Sequence, residues 1–231
     1  MTRALLFGLG RMGQLVEQHA PAHGVDVVGA LTRGATAETW QAWRQSPVDV
    51  VIDFATGEAL VSHLDDLCRV AKTLVIGSTG WSAHAADVQE TLERHGVGAV
   101  VASNFSVGAH VLEAAAVAAA RLLADADEYE AFLHEAHHAR KRDAPSGTAK
   151  SLLAALTAAG YTRHVDVAVT RAGHVPGTHS LAFDGPAETI ALTHTVRDRA
   201  TFAHGALRAA RWIQGRTGVY SMKDVLGISY A

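Results

Sequence analysis

The chain has 231 residues, 48% of them hydrophobic, with a formal net charge of −3. That is enough apolar material for one large core or two modest ones, and it excludes a disordered chain. The near-neutral balance, with no run of five like charges, argues against a nucleic acid or a membrane surface as the main partner, so an anionic ligand has to be held by a local site.

Through the first hundred residues, short Val- and Ile-rich runs alternate with Ala-rich amphipathic segments, the pattern of a parallel sheet covered by helices. The strand-like runs are Arg3 to Phe7, Val25 to Leu31, Val48 to Phe54, Thr73 to Ile76 and Val97 to Val101. Each is followed by a turn and a helical pattern, which predicts an α/β, Rossmann-type doubly wound unit over residues 1–105. Cys68, the single cysteine, falls in one of the helical stretches; it excludes an intrachain disulfide and fits a reducing cytoplasm. The opening MTRALLFGLGRMG is too short in apolar residues for a signal peptide, and no stretch reaches the ~18 uninterrupted apolar residues of a membrane span.

From about Phe105 the texture changes. A long Ala-rich helix (Gly108 to Leu123) leads to a candidate strand, Glu128 to His137, and a turn-rich segment. After a further helix, Thr148 to Ala159, closed by Gly160, the runs Val165 to Thr170, His179 to Phe183 and Thr189 to Val196 read as antiparallel strands. Residues 106–205 are therefore expected to form a second, α+β domain. The last helix, Ala200 to Gln214, and the apolar tail Val219 to Ile228 are expected to pack back on the first domain, completing it with residues 206–231.

Gly8-Leu9-Gly10-Arg11-Met12-Gly13 follows a strand and opens a helix, the context a dinucleotide-binding turn requires. Glycines permit the tight turn and a close backbone approach to a pyrophosphate, and the helix N-terminus offers free N–H groups and positive potential. At the end of the second strand a carboxylate would select the ribose hydroxyls, whereas an arginine would meet a 2′-phosphate. Here the pair is Thr32-Arg33, so NADPH is expected to be preferred, with NADH tolerated. Asp53 comes too late to replace the absent carboxylate and is expected to orient the loop that follows it.

The most chemically loaded stretch, HEAHHARKRDAPSGTAKSLL from His134, supports two readings. His134-Glu135-Ala136-His137-His138 matches H-E-x-x-H, in which two histidines one helical turn apart hold zinc and the glutamate activates water. That zinc-hydrolase reading requires a helix, and no further histidine follows at a metzincin-like spacing. In the other reading, which needs no metal, a strand ends near His137 and a polar loop carries Lys141 toward a helix beginning at Ser146-Gly147-Thr148. Pro145 suits a position just before a helix, and Gly147 and Thr148 expose N–H groups and a hydroxyl at its positive end, where a substrate carboxylate fits. His137 is suited to proton transfer near neutral pH, and the Lys141 ammonium can donate a proton or balance charge. A noncatalytic nucleotide-sensing module is the third class of function.

These segments resemble the dihydrodipicolinate reductase (4-hydroxy-tetrahydrodipicolinate reductase) family. The motifs are GLGRMG at Gly8, VVIDFAT at Val50, IGSTGW at Ile76, SNFSVG at Ser103, EAHHARKRDAPSGTA at Glu135, RAGHVPGTHSLAF at Arg171 and TFAHGAL at Thr201. The resemblance implies reduction of a small cyclic dicarboxylate by NADPH or NADH with loss of water, in the diaminopimelate route to lysine, by a cytoplasmic homotetramer assembled through the second domain. It further implies that His137 and Lys141 transfer protons and that His138, Gly147 and Thr148 bind substrate. By the same resemblance Gly77, Ser78 and Thr79 lie beside the nicotinamide ribose, and Ala102, Ser103, Asn104 and Phe105 line the nicotinamide ring. Four departures stand out: a glycine loop one residue shorter, Thr32 in place of an acidic residue, a shortened stretch between Arg33 and Val48, and Thr178 where relatives often carry glutamate.

Overall fold

The computed structural model of the chain describes residues 1–229. In chain order the first elements are β1 (Thr2–Phe7), α1 (Arg11–His19), β2 (Val25–Leu31), α2 (Ala37–Gln45), β3 (Val50–Asp53), α3 (Gly57–Val70), β4 (Thr73–Ile76), α4 (Ala85–His95) and β5 (Gly98–Val101). There follow α5 (Val107–Leu122), β6 (Glu130–His137), α6 (Gly147–Ala158), β7 (Val165–Arg171), β8 (Gly177–Asp184) and β9 (Thr189–Val196). The chain ends with α7 (Ala200–Trp212), β10 (Gly218–Tyr220) and α8 (Met222–Leu226). It divides into two compact units, residues 1–106 with 200–229, and residues 107–199.

The first unit is a six-stranded parallel sheet in the order β10-β5-β4-β3-β1-β2. Successive side chains of a strand point to opposite faces, so a sheet covered on both sides needs apolar residues at every position. Leu5, Val51 and Leu74 pack with Trp40, Leu60 and Leu92 of α2, α3 and α4. Their neighbours Leu6, Ile52 and Val75 pack with Val16 of α1 and with Ala206, Leu207 and Val225 of α7 and α8. The chain end thus covers the second face, as the sequence pattern suggests. It also adds β10 beside β5, a strand too short to stand out from the apolar tail around it.

The second unit holds a four-stranded sheet in the order β7-β6-β8-β9. Strands β6, β8 and β9 pair antiparallel, but β7 runs parallel to β6, which corrects the expectation of an antiparallel strand there. The reason lies between them. A parallel neighbour requires a crossover of about a dozen residues, and α6 supplies it, making β6-α6-β7 a βαβ unit. On the inner face Leu133, Leu181 and Phe183 pack against Leu112 of α5 and Leu152 and Leu156 of α6. On the outer face small and polar side chains pair across the strands: His134 with Thr170 (3.0 Å), Ser180 with Thr193 (2.8 Å) and Thr178 with Thr195 (3.2 Å).

Candidate active site

The glycine turn joins β1 to α1 in the first unit, and each glycine has its own reason to be there. Gly8 has φ +92, and a Cβ on it would meet Ala55 Cα at 2.8 Å. A Cβ on Gly13 would stand 2.3 Å from the Gly8 carbonyl oxygen, so only glycine lets α1 sit this close to the turn. Gly10, by contrast, is the N-cap of α1 and has open space around it, the room a pyrophosphate needs at a helix N-terminus. Gly8, Leu9 and Gly10 line a cavity of about 630 Å³ together with Thr32 and Arg33. Arg33 is exposed, and among the residues lining the cavity there is no carboxylate. Its far wall is Trp40, stacked on His63 with ring centroids 5.2 Å apart, a pair that the shortened stretch after Arg33 gave no reason to single out. Arg11 is exposed in the first turn of α1, and Met12 packs toward the core. The residues present fit a dinucleotide: glycines where the backbone must be bare, a helix N-terminus, and an arginine on the cavity wall.

Gly77, Ser78 and Thr79 follow β4. Ser78 and Thr79 line a cavity of about 280 Å³ with Ala102 and Ser103, which follow β5. The loop is held from below by Asp53 at the end of β3. One carboxylate oxygen of Asp53 accepts from the Ala55 N–H (2.8 Å) and the other from the Ser78 hydroxyl, so Asp53 does orient the loop after it. Asp53 is 0% exposed, and burial pushes its carboxyl up to about 6 against the opposing pull of these hydrogen bonds. The Asn104 side chain accepts from the Ser106 N–H (2.8 Å), which shapes the bend, while the Phe105 ring is 2% exposed and packs edge-on against Phe54.

In the second unit the loaded stretch turns on one structural fact: residues 130–137 are a strand. Alternation puts Glu135 and His137 on the inner face with Ala131 and Leu133, and His134 on the outer face beside Thr170. The zinc reading is thereby overturned, because H-E-x-x-H brings its histidines together only on a helix, and here His134 and Glu135 point to opposite sides of a sheet. His138 follows the strand, half-buried, and a turn closed by the Lys141 N–H on the His138 carbonyl (3.1 Å) leads away. The Lys141 ammonium lies 2.7 Å from Asp143. Ser146 is the N-cap of α6, its hydroxyl accepting from the Ala149 N–H (3.2 Å), and Gly147 and Thr148 form the first turn. Gly147 has open space around it.

Behind this loop lies a buried polar cluster on which the linear pattern gave little hold. Glu135 accepts from Arg171 (2.5 Å) and, with both oxygens, from the Ser146 N–H (3.1 Å each). Burial works to raise its pKa, but the hydrogen bonds from Ser146 and Arg171 outweigh it and hold the carboxyl below the usual range. The His179 Nε2 stands 3.0 Å from the Ser146 hydroxyl and 3.5 Å from Glu135. Facing an anion, Nε2 is the nitrogen that carries the proton of a neutral ring. Burial pushes His179 down to about 4, with His137 adding to the effect. The His137 and His179 rings meet edge-on, centroids 5.1 Å apart, and burial lowers His137 too, so both are neutral at neutral pH. Glu135, His137 and His179 each offer a donor atom within 4.8 Å of the others. The Arg171 guanidinium and the Ser146 N–H are both bonded to the Glu135 carboxylate, which makes this an ion-pair network. Period-2 alternation from Ala131 onward was the signal that could have separated Glu135 from His134.

Residues 2–105 match the family model described as dihydrodipicolinate reductase, N-terminus, and residues 108–226 match the one described as dihydrodipicolinate reductase, C-terminus. A 4-hydroxy-tetrahydrodipicolinate reductase of Methanoregula boonei is 40% identical over 195 residues, covering 78% of this chain and 75% of that protein. The enzyme of that name from Anaeromyxobacter dehalogenans strain 2CP-C is 37% identical over 270 residues, covering 99% and 98%. A solved dihydrodipicolinate reductase of Paenisporosarcina sp. TG-14, with dipicolinate bound, shares the fold with a TM-score of 0.78 at 20% identity, covering 96% of this chain and 97% of that one. With both halves of the sequence matched and the Anaeromyxobacter relative covered nearly end to end, the chain belongs to the dihydrodipicolinate reductase family.

Proposed function

We propose that this chain reduces 4-hydroxy-tetrahydrodipicolinate to tetrahydrodipicolinate with loss of water, using a reduced nicotinamide nucleotide, in the diaminopimelate route to lysine. The observation that carries the reading is the β6-α6 connection. Within a family of reductases it sets a neutral histidine, a lysine and an anion-ready helix start along one short loop. When bound, the nicotinamide supplies a hydride to a ring carbon of the substrate. His137, kept neutral by burial, can take up or return a proton. Lys141, released from Asp143 when a substrate carboxylate draws it away, donates one. The start of α6 at Gly147 and Thr148, with His138 preceding it in the same connection, holds a carboxylate.

NADPH is the preferred nucleotide in this reading, supported by the exposed Arg33 and by a cavity wall that lacks a carboxylate to bind ribose hydroxyls. A homotetramer is supported by the outer face of the β7-β6-β8-β9 sheet, where Phe132 is 45% exposed among small and polar side chains. The test is oxidation of NADPH and of NADH in the presence of freshly generated substrate. Turnover with both, and higher catalytic efficiency with NADPH, is expected. Binding of nucleotide without turnover would overturn the reaction, and higher efficiency with NADH would overturn the cofactor preference.

A further inference from the structure

Glu135 is a charged group with no solvent exposure in the middle of a sheet. Burying a carboxylate costs several kcal/mol unless partners replace the lost water, and here they come from separate elements. Arg171 reaches it from the end of β7, the Ser146 N–H from the start of α6, and His179 from β8, while His137 of its own strand lies with Nδ1 4.0 Å away. The two groups that the proposed reaction needs most thus stand beside the same carboxylate: the turn that receives the substrate anion is hydrogen-bonded to it, and the proton-transferring ring faces it across 4.0 Å without a hydrogen bond. An apolar side chain at 135 would fill the space without tying these elements together.

We propose that Glu135 is a positioning residue for the reaction, fixing His137 and the Ser146–Thr148 turn relative to each other, with His179 as the second member of the set. This rests on the reductase reading above. The carboxylate acts in two ways. By geometry, it anchors the first residues of α6 through the Ser146 N–H while His179 holds the Ser146 hydroxyl. By charge, it opposes the groups that depress His137. The groups facing that ring are Glu135 of β6, Lys141 and Asp143 of the loop, Arg171 of β7 and His179 of β8; after burial, Glu135 is the largest influence and it acts upward.

The test uses the full chain with Glu135→Gln, Glu135→Asp and the double variant Glu135→Gln with Arg171→Met. Three readouts are followed: steady-state kinetics, the NMR titration of the His137 ring, and binding of dipicolinate as a planar dicarboxylate probe. For Glu135→Gln, kcat is expected to fall at least ~10-fold. The KM for the nucleotide is expected to stay within about 2-fold, dipicolinate binding to weaken, and the His137 midpoint to move down. Glu135→Asp, which keeps the charge, is expected to restore the midpoint and part of kcat. The double variant removes the guanidinium left without its carboxylate, so thermal stability is expected to recover in part while kcat stays low. A kcat that recovers along with stability, or a His137 midpoint unmoved in Glu135→Gln, overturns the proposal. Failure of the underlying reading is seen separately, as normal turnover by His137→Ala; the titration of the ring in the Glu135 variants does not depend on that outcome.

Discussion

Gly205 of α7 lies against the main chain of Phe105 so closely that a Cβ on it would stand 1.8 Å from the Phe105 carbonyl oxygen. Phe105 follows β5 in the loop expected to border the nicotinamide, so one helix position fixes the height of that loop. Neither partner can give way, because the obstacle is backbone and Ala203, Ala206 and Phe105 are all buried. Gly205→Ala is expected to lower the unfolding free energy by at least ~3 kcal/mol, at the upper end of what overpacking a core costs. Urea unfolding monitored by circular dichroism reads this directly, and a loss under ~1 kcal/mol would mean that α7 can slide.

Asp53 gives a stability term whose sign is unusual for a carboxylate. Its folded pKa is raised to about 6, so between roughly pH 4 and 6 the folded chain keeps a proton that the unfolded chain has released. Stability from this group is therefore present at low pH and lost as pH rises through that window, by about 3 kcal/mol for a shift of about two units. Asp53→Asn keeps an acceptor for the Ala55 N–H and removes the titration. Relative to the wild type, the variant is expected to gain about 3 kcal/mol between pH 4 and pH 7. A difference in unfolding free energy that stays constant with pH would contradict this.

Removal of the proposed proton carriers is expected to act on turnover rather than on folding. His137→Ala and Lys141→Ala should each reduce kcat by ~100-fold or more, since a positioned acid or base is worth at least that. Lys141 is partly exposed and its ammonium pairs with Asp143 of the same loop, so its variant is expected to melt within a degree or two of the wild type. Initial rates with saturating nucleotide settle the matter; near-normal kcat in either variant removes that residue from the mechanism.

Arg33→Ala is expected to raise the KM for NADPH about 10-fold while leaving that for NADH within about 2-fold, because a charge-assisted contact to a 2′-phosphate is lost and nothing comparable is lost with a ribose hydroxyl. Equal changes with both nucleotides would assign Arg33 to the pyrophosphate or the solvent instead.

Phe132 stands out on the otherwise small and polar outer face of the second unit's sheet. If copies of the chain assemble through that face, Phe132→Glu buries an unpaired charge in the contact and the assembly is expected to dissociate. Analytical ultracentrifugation compares the two proteins at the same concentration. A variant that sediments like the wild type would exclude this face.

The parallel sheet of the first unit was legible because doubly covered strands such as Val50–Asp53 and Thr73–Ile76 are apolar apart from one polar residue at an end, and length and flanking turns locate them. The antiparallel expectation for Val165 to Thr170 fails for a different reason. Alternation reveals that a segment is a strand with two unlike faces, but strand direction is set by the connection, here the α6 crossover. At the site, His137, Lys141 and the Ser146–Thr148 turn could be read from chemistry along one stretch of chain. Arg171 and His179 could not, because they reach Glu135 from strands paired through the sheet, and pairing partners are invisible to linear spacing. Trp40 and His63 likewise meet only in three dimensions.

The late arrival of α7, β10 and α8 has a bearing on biosynthesis. Leu6, Ile52, Val75 and Val100 lie on a sheet face whose cover includes Ala206, Leu207, Ala210, Ile213 and Val225. A ribosome has to translate the whole second unit before those residues exist, at a rate of ~5–20 residues per second. For that interval the first hundred residues present a half-clad apolar sheet. The intervening residues form a compact unit of their own, so closing the first sheet waits for the last helices of the chain.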